Sequence, residues 1–348
     1  MSTRRLCILY TGGTIGMRRT PHGYAPAPGY LAAQVAAIST LQSPALPDYD
    51  LIEFEPLLDS ANMLPADWVT IARAVADRHA DYAGFVVLHG TDTMAYSASA
   101  AAFLLDGLGK PVVFTGSQIP LDEVRSDAIE NLVNALLIAA HDPIPEVCVY
   151  FGDRLLRGCR TVKASATGLS AFESPNHPPL GIGGIRMEIN WPLVRPRPPA
   201  ETPLRVEHTR DASVGVLKVF PGLTAAMARA LLEPPLEGLV LEAYGVGTVP
   251  DREAELQRVL AAASARGVVI VDCTQCWRGT VSLGSYSAGA WLAEAGVVSG
   301  LDLTTEAALT KLYWLLGTGR TRAEIVADLQ RDLRGELTEA RPGEAPSG

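Results

Sequence analysis

Three short segments of this 348-residue chain bring alcohols together with a carboxylate or a lysine, each just beyond a run of apolar residues. The first, Thr11-Gly-Gly-Thr-Ile-Gly16, follows Arg5-Leu-Cys-Ile-Leu-Tyr10 and offers the hydroxyls of Thr11 and Thr14. Ligands of open α/β sheets bind at the carboxyl ends of strands, so a glycine-rich loop there carrying two alcohols is a candidate ligand loop; the same residues also make an ordinary tight turn. Dinucleotide binding fits poorly, because the glycines stand at 12, 13 and 16 and no helix-forming segment follows before His22. The second segment, Leu88-His-Gly-Thr-Asp-Thr-Met94, ends an apolar strand and opens a helix. N-capping accounts for one of its three oxygen-bearing side chains; Thr91 and Asp92 beside the amide-rich helix start can receive a small polar or anionic ligand.

The third segment, Gly158-Cys-Arg-Thr-Val-Lys163-Ala-Ser, places a single lysine among small and apolar residues. Lysines ordinarily stand in solvent, but one that is desolvated beside hydroxyls can act as a base, and an adjacent carboxylate keeps it charged and orients it. Asp59-Ser60-Ala-Asn62 adds one more hydroxyl and carboxylate on a loop. Other candidates weaken. Cys273-Thr-Gln-Cys276 has redox spacing without a second pair for zinc, Gly284-Ser-Tyr-Ser-Ala-Gly289 is one residue off a nucleophile elbow, and the six histidines show no paired ligand spacing. His89, at a strand end, reads as structural.

Positioning such groups requires strands that end in turns. Arg5–Tyr10, Gly84–His89, Pro111–Thr115 and Glu146–Phe151 read as buried strands, alternating with helices over Pro65–Ala80, Thr93–Leu105 and Ser126–Ala140. That alternation is the pattern of a parallel sheet covered on both faces. A proline-dense stretch, 193–213, cannot continue a helix or central strand and is predicted to link an N-terminal catalytic α/β domain, 1–192, to a smaller C-terminal α/β domain, 214–340. In the latter, strands are predicted at Val214–Phe220, Gly238–Glu242 and Gly267–Asp272, with helices at Thr224–Leu232, Arg252–Arg266, Ala288–Ala295, Thr304–Leu316 and Arg322–Leu333; residues 341–348 read as a frayed tail. Hydrophobic content of 48% with 19% charged residues excludes wholesale disorder. A net charge of -9 argues against a nucleic-acid surface. With no apolar run of bilayer length, no signal peptide and an odd number of cysteines, a soluble chain in a reducing cytoplasm is expected.

Taken together, Thr11-Gly-Gly-Thr-Ile-Gly16, Leu88-His-Gly-Thr-Asp-Thr-Met94 and Arg160-Thr-Val-Lys163 resemble the bacterial-type L-asparaginase family, and Ala171-Phe-Glu-Ser-Pro-Asn176 with Tyr244-Gly-Val-Gly247 resemble its cytoplasmic type I branch. The resemblance implies hydrolysis of the asparagine side-chain amide to aspartate and ammonia, weaker action on glutamine, and no metal or organic cofactor. It implies that Thr14 is the nucleophile with Tyr24 helping to activate it, and that Lys163 and Asp92 polarise Thr91, which handles proton and water traffic. Asp59, Ser60, Thr91 and Asp92 would hold the substrate's α-amino and α-carboxylate groups, and Ile15 to Pro28 would close as a lid, poorly ordered without ligand. It also implies a homodimer or homotetramer and no membrane or nucleic-acid partner.

The chain departs from that pattern at Glu242-Ala-Tyr-Gly-Val-Gly-Thr248, where type I enzymes carry an arginine of an allosteric asparagine site; a carboxylate cannot pair with the effector's α-carboxylate as a guanidinium does. Val162 likewise replaces a second threonine before the lysine. Two other readings share the motifs: the amidase subunit of a tRNA-dependent amidotransferase, and a catalytically silent amino-acid sensor.

Overall fold

The computed structural model describes residues 5–21, 23–141, 143–250, 254–284 and 287–339, with residues 287 and 288 described by their backbone alone. The start predicted for the Arg252–Arg266 helix, part of Gly284–Gly289 and the 341–348 tail lie outside the described residues. Two compact units are present, Met1–Val206 and Glu207–Gly348.

The first unit is built on eight strands: β1 Leu6–Gly12, β2 Tyr49–Leu58, β3 Phe85–Leu88, β4 Val112–Thr115, β5 Val147–Phe151, β6 Arg154–Arg157, β7 Gly181–Gly183 and β8 Met187–Ile189. Their order across the sheet is β8-β7-β6-β5-β4-β3-β1-β2. Strands β2, β1, β3, β4 and β5 run parallel, and β6 to β8 turn back antiparallel. The central strands are buried along their whole length, so their text is a continuous apolar run. Because successive side chains alternate between faces, Ile8, Tyr10, Val86, Leu88 and Val113 share one face with Leu132, Leu136 and Ala139 of α4 (Ala128–His141) and Leu31 and Val35 of α1 (Tyr30–Ala37).

Helix α2 (Pro65–Ala76) packs against α3 (Met94–Leu104), in which every residue but Tyr96 is buried. A helix that is apolar all round is an interior element, and its start is therefore a fixed platform. Strand β2 was not legible as such: it alternates Asp50, Glu53 and Glu55 with apolar residues, is only half-buried and forms the sheet edge, where charges and Pro56 are tolerated. After β1 the chain makes one tight turn, Thr14–Gly16, and then an antiparallel hairpin, Met17–Thr20 with Gly23–Pro26.

From 193 to 206 the proline-rich stretch is tied to this unit. Arg157, in a buried pair with Glu146 at 2.6 Å, also donates to the Leu193 carbonyl, while Glu146 accepts from the Arg195 amide. Arg205–Val206 then pairs with Leu105–Asp106.

The second unit is a parallel sheet in the order β9 (Val214–Lys218), β10 (Gly238–Ala243), β11 (Val269–Thr274), β12 (Val298–Ser299). Helices α5 (Ala225–Leu232), α6 (Ala254–Ala265), α7 (Ser287–Glu294), α8 (Thr305–Gly317) and α9 (Arg322–Leu329) accompany it. The last helix stops four residues before the predicted Leu333, because the chain turns to give the amides of Leu333 and Arg334 to Glu336. Glu336 is fully buried and paired at 2.5 Å with Lys311 of α8, whose ammonium also donates to the Leu329 and Arg331 carbonyls.

Asp272 on β11 is fully buried, beneath Gly247, and neither of its oxygens has a hydrogen-bond partner among the described residues. Desolvation pushes this carboxyl from 3.8 up to about 8, so it is protonated at neutral pH. Between those values the folded chain holds a proton that the unfolded chain has released, and stability must fall as pH rises through that window, by up to about 1.4 kcal/mol per pH unit. Asp272→Asn should flatten this slope and be the more stable protein at pH 8. Urea unfolding at several pH values between 5 and 8 measures it, and a slope equal to wild type rejects a neutral Asp272.

Candidate active site

Strand order reverses around β1, since β2 lies on one side of it and β3 on the other. At such a switch point the loops leaving the carboxyl ends diverge and open a crevice. The loops after β1, β2 and β3 carry Thr14, then Asp59 and Ser60, then Thr91 and Asp92. They are stitched together there: Thr11 donates to the Leu88 carbonyl at 3.0 Å, and Thr93 donates to the Ser60 carbonyl at 2.8 Å.

Closer still is a contact of backbone on backbone. A Cβ placed on Gly13 would lie 2.4 Å from both Cα and N of Gly90, and one on Gly90 would lie 2.4 Å from Ser60 Oγ. The glycines are therefore spacing elements: their missing side chains let the loop of Thr14 touch the loop of Thr91, with Ser60 behind. Ser60 and Thr91 are buried and Thr14 is half-buried.

Lys163 reaches this point from a separate pairing, Val162–Lys163 with Phe172–Glu173. Its ammonium donates to Thr91 Oγ1 at 2.8 Å and to Asp92 Oδ1 at 2.7 Å. The lysine side chain is 19% exposed and that of Asp92 62%, so the pair stands at the mouth of the crevice with the ammonium mostly shielded. An ammonium has no lone pair, so Lys163 occupies an acceptor site of Thr91; the Thr91 proton goes instead to Gln118 Oε1 at 3.1 Å. Asp92, Lys163, Thr91 and Gln118 form one directed chain of hydrogen bonds.

Gln118 carries no role in the sequence reading. It stands on the loop after β4, in Thr115-Gly-Ser-Gln118, and the glycine-and-hydroxyl turn after a strand is the one signal it shares with the other loops. That loop also donates the Leu121 amide to the Ile15 carbonyl at 3.2 Å. Asp59 turns inward on its own loop, accepting from the Ala61 amide at 3.3 Å and the Asn62 side chain at 3.2 Å.

Tyr24 is directed elsewhere. Exposed on the hairpin, its hydroxyl donates to Glu123 at 2.5 Å, and that bond raises its pKa. Nearby, Tyr30 donates to Asp122 at 2.8 Å. A charge-assisted O–H···O⁻ bond to a carboxylate is the strongest partner an exposed phenol can find. The structure thus joins Thr91, Asp92 and Lys163 directly, brings the loops of Thr14 and Ser60 against them, and gives the Tyr24 proton to Glu123.

His89 is buried, bonds its own neighbour's carbonyl at 2.7 Å through Nδ1, and has its pKa pushed down to about 4 by desolvation, which leaves the ring neutral. The cysteines are free thiols: Cys7, Cys148, Cys159 and Cys273 are buried, and Cys276 is exposed. Among the described residues no helix is long and apolar enough to cross a membrane.

An α/β chain with a hydroxyl-rich crevice at the β1/β3 switch point and a separate parallel-sheet unit matches two family models: Asparaginase, N-terminal, over residues 5–195, and Glutaminase/Asparaginase C-terminal domain, over 213–327. The chain belongs to the asparaginase family. It is 48% identical over 339 residues to L-asparaginase 1 of Escherichia coli (strain K12), a match covering 97% of this chain and 99% of that protein. The crystal structure of L-asparaginase I from Vibrio cholerae O1 biovar eltor is similar with a TM-score of 0.89 at 44% identity, covering 97% of this chain and 100% of that one. The thermostable L-asparaginase from Thermococcus kodakarensis follows at a TM-score of 0.85, 35% identity and the same coverage.

The glycine contact can be tested without an activity assay. Gly13→Ala and Gly23→Ala both place a side chain at positive φ, but a Cβ at Gly23 meets nothing within 4 Å. Gly13→Ala should therefore cost roughly 2 kcal/mol more than Gly23→Ala in urea unfolding. Equal losses for the two variants would show that the Gly13–Gly90 approach carries no constraint.

Proposed function

We propose that this protein hydrolyses the side-chain amide of L-asparagine to L-aspartate and ammonia. The observation that carries the reading is the Lys163 ammonium bonded to both Thr91 and Asp92, on a loop whose Gly90 touches the Gly13 preceding Thr14. The similarity to relatives named L-asparaginase supports it.

In this mechanism Thr14 Oγ attacks the amide carbon. Its proton passes to the leaving nitrogen, the C–N bond breaks, and ammonia departs from an acyl-threonine ester. A water hydrogen-bonded to the Thr91 oxygen, which Lys163 and Asp92 polarise, then attacks the ester carbon; the ester C–O bond breaks, the water's proton goes to the departing Thr14 oxygen, and aspartate leaves. An alcohol needs both proton removal and oxyanion stabilisation, and amides of the Gly90-Thr91 turn are suited to the second. Asp59, Ser60, Thr91 and Asp92 hold the α-amino and α-carboxylate groups.

Tyr24 assists Thr14 when the Met17–Pro26 hairpin moves its phenol from Glu123 into the crevice, closing it against water. Glutamine is the poorer substrate; one methylene in a fitted pocket is worth about 1–3 kcal/mol. The five free thiols accord with a reducing cytoplasm, and a homodimer or homotetramer is the assembly we expect.

Thr14→Val and Thr91→Val should each lower kcat for ammonia release from asparagine by roughly 10³-fold or more with the unfolding midpoint little changed, since each removes an interaction used mainly in the transition state. Near wild-type turnover in either variant removes that threonine from the mechanism.

A further inference from the structure

The hydroxyl of Thr91 has a single proton and can direct it toward Lys163, toward the crevice or toward Gln118. We infer that Gln118 is a positioning residue that fixes this choice, holding the Thr91 proton out of the crevice so that the oxygen presents lone pairs both to Lys163 and to the reacting water. The inference rests on the hydrolytic reading above and deepens it.

Three features of the structure carry it. First, the Thr91 oxygen is bonded on two sides, receiving from Lys163 Nζ at 2.8 Å and donating to Gln118 Oε1 at 3.1 Å. Because the ammonium only donates, the proton of the hydroxyl must take the Gln118 direction.

Second, the amide of Gln118 cannot turn over at no cost. Its Nε2 donates to the carbonyls of Ala166 at 3.3 Å and Gly168 at 3.2 Å. A flipped amide would set an oxygen against two carbonyl oxygens, so its acceptor end is locked toward Thr91. Those two carbonyls belong to the turn just beyond Lys163, itself tightened by Ser165 Oγ accepting from the Gly168 and Thr167 amides.

Third, the main chain of Gln118 is fixed from the other side. Its amide and that of Ile119 donate to Asp127 at 3.0–3.1 Å, just before α4, while Asn131 bonds both Asp127 and the Gly116 carbonyl. Gln118 is thus a rigid acceptor held by two independent segments, the Ala166–Gly168 turn and the start of α4. A group that only filled space would need no such lock.

The role can be separated from simple packing with Gln118→Met, which keeps the volume and loses the acceptor, and Gln118→Glu, which keeps an acceptor facing Thr91 and adds a negative charge near Lys163. The expected result is a fall in kcat of about 10- to 100-fold for Gln118→Met with KM for asparagine within about twofold, as for a residue that acts through Thr91. In the Thr91→Val background, Gln118→Met should have no further effect on kcat, since it acts through that hydroxyl. Gln118→Glu should recover part of the lost kcat, the remainder being the cost of an oxygen set against the Ala166 and Gly168 carbonyls, and move the alkaline limb of the kcat–pH profile upward, as a nearby anion favours the ammonium form of Lys163.

Wild-type kcat in a folded Gln118→Met protein overturns the inference. So does a Gln118→Glu protein as slow as Gln118→Met with an unshifted pH profile. Should Gln118→Met not fold, the pH profile of Gln118→Glu decides alone, an unshifted limb counting against the role. Full activity in Thr91→Val would instead overturn the catalytic reading, whatever Gln118 does.

Discussion

Everything in the crevice depends on how closely two backbones can approach. Gly13 lies against Gly90 at a separation that leaves no room for a Cβ, and Gly12 lies closer still to the Leu58 carbonyl. The loops after β1 and β3 are therefore packed main chain to main chain at the switch point, with the Ser60 side chain set against Gly90. Larger residues at these glycines would part the loops and with them the hydroxyls. The distance between Thr14 and Thr91 is in this sense a backbone property, and the threonines need only supply oxygen.

A close-packed centre would still be useless if its polar groups were free to reorient. Here the loop after β4 supplies the restraint. It gives Gln118 to Thr91, the Leu121 amide to Ile15, and Asp122 and Glu123 to Tyr30 and Tyr24. One loop thus reaches the platform at the start of α3, the turn holding Thr14 and the hairpin above it. The platform is the stiffest of these, because α3 is buried on all sides, whereas the hairpin's bond to Glu123, like that of Tyr30 on α1 to Asp122, is exposed and correspondingly weak. That gradient, rigid beneath and loose above, suits a site that must hold its hydroxyls and yet admit and release a small molecule.

The same contrast explains what the sequence disclosed. Central strands such as Phe85-Val-Val-Leu88 were plain because burial on both faces demands an unbroken apolar run, and Thr91, Asp92 and Lys163 stood out because each breaks such a pattern at a turn. Strand β2 hid its nature, since an edge strand exposed to solvent has no need of that run. The Met17–Pro26 hairpin and the end of α9 were equally illegible: the one is set by local pairing among exposed residues, the other by a buried lysine eighteen residues or more upstream. Gln118 is the clearest omission. Its meaning comes from carbonyls 48 and 50 positions away and from a carboxylate just before the next helix, none of which is visible in a glutamine considered alone. Tyr24 was expected beside Thr14, and in this structure its hydroxyl donates to Glu123.

In the second unit the departure at Glu242 has a structural counterpart. Its carboxylate accepts from Thr305 at 2.6 Å at the start of α8, where Glu306 is largely buried and has its pKa raised by desolvation, with the charge of Glu242 adding to the rise. Asp272, one strand over, is an acid held neutral by burial. An arginine at position 242 would offer an amino-acid effector a bidentate partner for its α-carboxylate. Glutamate reverses the sign of that contact and spends its acceptor on the chain's own threonine. An anionic group brought to this corner would meet the carboxylate of Glu242. The carboxylate at position 242 thus removes the bidentate contact that an arginine there would offer.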